Sequence, residues 1–378
     1  MKSTSTTEDN ILKAFIWQSI CAKLTDFTIK FDYICEIFGQ NYYRQMNFRK
    51  IITAALLITA VTGCKKEEDT PTTPSLDGYL SIIGVPEYVK GGQTVTLTPK
   101  GLSHPDGKEI TYTWRVSPSH PEACTTKVFP FTFSDTLRTY SISCTASAEG
   151  YASSSATKHA IVVKGGVGEG CSIQGIDDIL DAHHFSTSDT TTYYYKQIGT
   201  QTWMLNNGAE KLLSDKQAGR PYSDAWVMST VFGRFYSYQE AVTLCESLST
   251  PELEWKLPTL EDWRTLESYI KGQPDLGKSV AAALMGNATF NSTEMWEYWP
   301  AVGDITNSTG FSAIPVGYTN LGAPFFDGLG DYAVFWTADK AEKENEAYAV
   351  YLICNQPELY IGTPDQKSFG ASVRCILK

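Results

Sequence analysis

The sixteen residues "WKLPTLEDWRTLESYI", Trp255–Ile270, contain a complete helix start. Thr259 is an N-cap residue type whose hydroxyl can accept a first-turn backbone N–H, and Glu261 and Asp262 place negative charge at the positive end of the helix dipole. Trp263, Leu266 and Ile270 then recur at helical spacing, which predicts a helix through Ile270 with those three side chains on its core face. Upstream, Tyr238–Leu248 puts Ala241, Leu244, Cys245 and Leu248 on one stripe and predicts a second helix. Around these two, Gly, Thr, Tyr and Trp are plentiful and long amphipathic stretches are few, so strands and ordered loops are expected.

The same region carries an ordered series of motifs: "YKQIGTQTWMLNN" at Tyr195–Asn207, "GRFYSYQEAVTLC" at Gly233–Cys245, the stretch just quoted, "GFSAIPVGY" at Gly310–Tyr318, "YAVFWTA" at Tyr332–Ala338 and "ASVRCIL" at Ala371–Leu377. Together they resemble the Fibrobacter succinogenes major paralogous (FISUMP) domain, here over residues 171–378. The sequence departs from the usual pattern at Asp262, which gives E-D-W before Trp263, at Gly208, where leucine is common, and by inserting "ESLSTPELE" after Cys245. The resemblance implies an α+β fold related to the C-type-lectin-like and formylglycine-generating-enzyme-like architecture. Trp203, Trp255 and Trp336 lie within the motifs and are expected to be core residues.

Residues 76–164 read differently. "GGQTVTLTPKG", "EITYTWRVSP", "RTYSISCTASAEG" and "ATKHAIVVKG" alternate apolar and polar positions between Gly, Pro, Asp and Ser turns, which predicts an all-β sandwich with Trp114 at its centre and Tyr112 and Tyr140 on flanking strands. The stretch resembles Ig-like and PKD-like modules. "GGVGEG", Gly165–Gly170, reads as a linker. The expected molecule is therefore multidomain, an Ig-like sandwich followed by a lectin-like domain.

Further toward the N-terminus, a basic flank, Asn47–Lys50, precedes "IITAALLITAV" and then Val61-Thr62-Gly63-Cys64. The apolar run is about half the roughly 20 residues a transmembrane helix requires, and has the length of a signal-peptide core. The motif resembles a bacterial lipobox, which implies lipidation of Cys64, a signal peptide over 46–63 starting at Met46, and a doubtful extension over 1–45. More than one acyl chain would make a stable anchor. The charged and Thr/Pro-rich residues 64–75 cannot bury a core and read as a tether. Lysines followed by acids behind the cysteine resemble the signal that sends Bacteroidetes-type lipoproteins to the cell surface, so an outer-membrane, lipid-anchored location is expected.

A net charge of −11 without a basic stripe argues against nucleic acid as a partner. Leaving out Cys21, Cys35 and Cys64, six cysteines remain, and in an exported chain an even number favours disulfides among fifteen possible pairings. Cys124 and Cys144 share the sandwich and are candidates to pair. The lectin-like resemblance implies a bridge from the first helix to the last strand, Cys245 to Cys375, leaving Cys171 with Cys354.

Four segments are candidates for chemistry. Asp177, Asp178, Asp181, His183 and His184 offer metal-ligand types close in sequence, although adjacent histidines on a strand point apart. Gln356-Pro357-Glu358 and Pro364-Asp365 resemble faintly the proline-centred triplet of calcium-dependent lectins, which makes calcium the one cofactor to consider. "STEMWEYWPAVGD", Ser292–Asp304, gathers Trp296, Tyr298 and Trp299 with Glu297 into an aromatic platform suited to a sugar face or a protein partner. The formylglycine-generating resemblance would require a local cysteine pair, and none is found. The expectation is a non-catalytic surface lipoprotein binding an extracellular glycan or protein; the alternatives are a formylglycine-generating-type metal enzyme and a structural part of a surface assembly.

Overall fold

A computed structural model describes residues 73–188, 191–213 and 216–378. The signal peptide, Cys64 and the extension before them lie outside the described residues. Residues 73–378 form one compact unit.

Eight strands open it: β1 (Asp77–Ile83), β2 (Tyr88–Lys90), β3 (Thr94–Ser103), β4 (Thr111–Ser117), β5 (His120–Cys124), β6 (Phe129–Thr132), β7 (Thr139–Ser147) and β8 (Ser154–Val163). They make a three-stranded sheet, β1-β3-β6, and a five-stranded sheet, β2-β8-β7-β4-β5. Alternation along β4 and β7 turns every second side chain into a core shared by both sheets, with Trp114, Tyr140, Phe131 and Phe133 inside. The Trp114 indole N–H donates to the Thr126 carbonyl at 2.8 Å, so the ring is buried without an orphaned donor.

The pairing expected of Cys124 and Cys144 does not form, and the register gives the reason. Trp114 of β4 lies opposite Cys124 on one side and Cys144 on the other. The two cysteines are therefore separated by two strand spacings, about 9 to 10 Å, beyond the roughly 7 Å a disulfide spans. Both are free.

The second part contains β9 (His183–Ser186), β10 (Thr192–Ile198), β11 (Gln201–Met204), α1 (Tyr238–Ser247), β12 (Trp255–Lys256), α2 (Leu260–Lys271), α3 (Val280–Leu284), β13 (Tyr332–Lys340), β14 (Ala347–Ile353), β15 (Tyr360–Gly362) and β16 (Ile376–Leu377). One sheet runs β9-β10-β11-β16-β12, another β13-β14-β15. Both expected helices carry capping boxes, Ser237 with Glu240 and Thr259 with Asp262. Burial alone would raise the Asp262 carboxyl, but the Lys256 ammonium at 2.9 Å and the N–H and hydroxyl of Thr259 bring it below its ordinary value. The E-D-W order thus supplies the cap. At Gly208 an added Cβ would come within 2.4 Å of Leu244 Cδ2, so α1 occupies the space a side chain would need.

Cys245 of α1 is joined to Cys375, with Cα atoms 5.6 Å apart. Next to it, Arg374 is 1 % exposed; its Nε donates to Asn207 Oδ1 at 2.7 Å, Nη1 to the carbonyls of Phe311 (2.8 Å) and Met204 (3.3 Å), and Nη2 to that of Ser312 (3.1 Å). Cys171 and Cys354 are free, contrary to the implied pairing: Cys171 closes a turn on Gly168, while the Cys354 thiol lies against Asp331 Oδ1 at 3.6 Å.

Gly165–Gly170 does not act as a free linker. Tyr88 and Val163 of the sandwich share a core with Met228, Phe232, Met295 and Ile314. Lys164 and Ser172 exchange backbone and hydroxyl hydrogen bonds across the glycines, and Asn291 Nδ2 donates to the Val162 carbonyl.

The bridge between Cys245 and Cys375 closes a segment 130 residues long. Replacing both cysteines by serine should lower the unfolding free energy in urea by about 5 kcal/mol, the chain-entropy value for a loop of that length. Unchanged stability would mean the bond does not form.

Candidate binding site

The aromatic loop begins with a tight hairpin. Thr289–Phe290 pairs with Thr293–Glu294, and the two residues between them, Asn291 and Ser292, both have positive φ, 46° and 68°, as a type I′ turn requires. Beyond it, Met295 and Trp296 turn into two different cores. The Trp296 ring is 6 % exposed and its N–H donates to the Ala313 carbonyl at 3.1 Å. Trp299 is half-buried and packs against the same core as Trp296.

The expected platform is corrected accordingly. Trp296 has no open face to offer a ligand, because a large apolar ring with a satisfied N–H is more stable inside. Tyr298, 66 % exposed, and Glu297 remain at the surface. Beside Tyr298 lies a depression of about 220 Å3, with Trp296 in its wall and Glu294, Asp304 and Asn287 contributing polar groups. Two carboxylates and an amide beside an exposed phenol ring can accept hydrogen bonds from hydroxyls while the ring covers an apolar face.

Glu297 turns toward Asp331 and Cys354, and donor atoms of the three lie within 4.8 Å of one another. No other group of three such residues comes together this closely among the described residues. Burial raises the Asp331 carboxyl, as do Glu297 and Asp327, while burial and then Asp331 push the Cys354 thiol up to about 12. Two oxygens and a sulfur would suit a soft divalent cation better than calcium.

The other expected ligands are not brought together. His183 and His184 stand opposite Tyr195 and Tyr194 across β9 and β10, so they point to opposite faces, and Asp177 and Asp178 begin a separate 3-10 turn. Glu358 pairs with Lys271 at 2.7 Å. The Asp365 carboxylate accepts from the Ser368 N–H and hydroxyl and the Lys367 N–H, which hold it below its ordinary value. These carboxylates are already engaged as structural groups.

Sequence reasoning missed a cavity of about 280 Å3 that Arg374 helps to line. Its walls come from seven separate stretches of the chain, so no local pattern could have announced it; the signal available was the arginine within "ASVRCIL", Ala371–Leu377.

The sequence model of the Fibrobacter succinogenes major domain matches residues 197–377. No curated protein matches the chain.

Burial separates the loop residues by role. Trp296→Ala should cost about 3 to 5 kcal/mol of folding stability, whereas Tyr298→Ala should change it by no more than about 0.5 kcal/mol. Thermal or urea unfolding of the two variants checks both, and equal effects would mean the loop is packed otherwise.

Proposed function

We propose that the Fibrobacter succinogenes major domain of this chain is a non-catalytic, lectin-like module that binds an extracellular glycan, and that an Ig-like, PKD-like sandwich carries it on a lipoprotein anchored through Cys64 at the outer face of the outer membrane. The observation that supports the binding reading is the depression beside Tyr298. An exposed aromatic ring stands next to Glu294, Asp304 and Asn287, an arrangement of ring face and hydroxyl acceptors suited to a sugar. Its small, polar shape favours a glycan over a protein partner, which would need roughly 800 Å2 of contact on each side. Support for the anchor comes from the order of basic flank, short apolar run, small residues and cysteine at Asn47–Cys64.

Docking of the sandwich onto the second part supports a stalk role, since the two share a core.

Two measurements test the proposal. On a glycan array the full-length protein should retain a defined set of sugars, and Tyr298→Ala and Glu294→Gln should each weaken that retention by roughly 1 to 3 kcal/mol without loss of fold. Retention of no sugar, or identical retention by both variants, would remove the depression as the site. Separately, Cys64→Ser should move the protein from the membrane to the soluble fraction; a variant that still pellets with membranes would rule out a lipid anchor at this cysteine.

A further inference from the structure

The cavity beside Arg374 is a second, independent place where a ligand is called for. We propose that it binds a small monocarboxylate with an aliphatic body. Arg374 is the only residue with a formal charge among those lining it, and the rest of the wall is mixed: Ile173, Ile176, Val231 and Ile314 give it an aliphatic side, while Thr191 and Ser229 are among its uncharged polar groups. One buried positive charge facing an apolar space is complementary to one negative charge on an apolar molecule.

The state of the guanidinium supports this. Its four hydrogen bonds go to Asn207 Oδ1 and three backbone carbonyls, all of them neutral acceptors. A guanidinium has five N–H groups, so one, on Nη2, has no acceptor among the described residues. The ring faces of Phe311 and Phe335, at 5.0 and 5.6 Å, give partial compensation. Burial lowers the pKa to about 9, which still leaves the group charged at neutral pH. A carboxylate would supply both the missing acceptor and the missing charge, through a short, charge-assisted bond.

Size and donor count narrow the class. At about 30 Å3 for each non-hydrogen atom, the volume a water occupies in the liquid, 280 Å3 holds roughly nine atoms. A phosphate or sulfate group would bring more negative charge than the one cation in the wall, Arg374, can balance. A short branched fatty acid fits both ends of the cavity.

Isovalerate is the probe. Titrated calorimetrically into the full-length protein, it should bind at least tenfold more tightly than isovaleramide, which has the same shape without the charge, and inorganic phosphate should not bind. Val231→Trp, which fills the cavity, should abolish the isovalerate signal while the near-ultraviolet circular dichroism of the fold persists. Contacts in the unmodified protein avoid dependence on a variant's folding: nuclear Overhauser effects should link the isovalerate methyls to those of Val231 and Ile314. Equal affinity for acid and amide, no binding of isovalerate, binding that survives in folded Val231→Trp, or methyl contacts elsewhere would each overturn the proposal.

Discussion

The guanidinium of Arg374 is the constraint on which the second half of the structure turns. It is buried with neutral partners only, and those partners come from two segments: Met204 at the end of β11 with Asn207 just beyond it, and Phe311 with Ser312 in the long loop before β13. A planar, five-donor group can hold two backbone segments against its own where a lysine, with a single nitrogen, could not. Its neighbours extend the effect. Cys375 ties the same strand to α1, and Ile376 pairs with Trp203 of β11 and Lys256 of β12, so that the last residues of the chain become the inner strand of a five-stranded sheet. Without the last seven residues, the helix, the sheet and the long loop would lose their common point of attachment.

A second constraint is the shared core at the junction. Short glycine-rich segments ordinarily let neighbouring domains move, yet here the segment is spanned by apolar contacts and paired hydrogen bonds on both sides. The sandwich is thereby more than a spacer: Tyr88 rests edge-on against Tyr222, and Glu87 accepts from the Ser223 hydroxyl. Burying these faces against each other removes apolar surface from water that a flexible linker would leave exposed.

The loop that carries Tyr298 divides its side chains between the core and the surface. Met295 and Trp296, adjacent in the chain, turn into two different cores, and Tyr298 stays outside. The tight turn at Asn291-Ser292 directly precedes them and sets where the chain enters this region. Polar groups from three places then gather about the exposed ring.

Local features of this protein were legible in the sequence because their causes are local. The cap at Thr259, the stripes of α1 and α2 and the alternation around Trp114 all follow from side chains within a few positions of one another, while the burial of Trp203, Trp255 and Trp336 was expected from their place in the motifs. The Cys245–Cys375 bond was legible only through resemblance to the lectin-like architecture. Tertiary structure decided the rest. Cys124 and Cys144 are kept apart by the intervening strand β4, Trp296 packs inside with Ala313 accepting its N–H, and Glu358 is engaged by Lys271. Each of these depends on which distant segment arrives alongside, a quantity that neither composition nor periodicity contains. The cavity at Arg374 is the clearest case: the sequence supplies an arginine just before the last strand, and only the convergence of seven stretches of chain makes it part of a cavity wall.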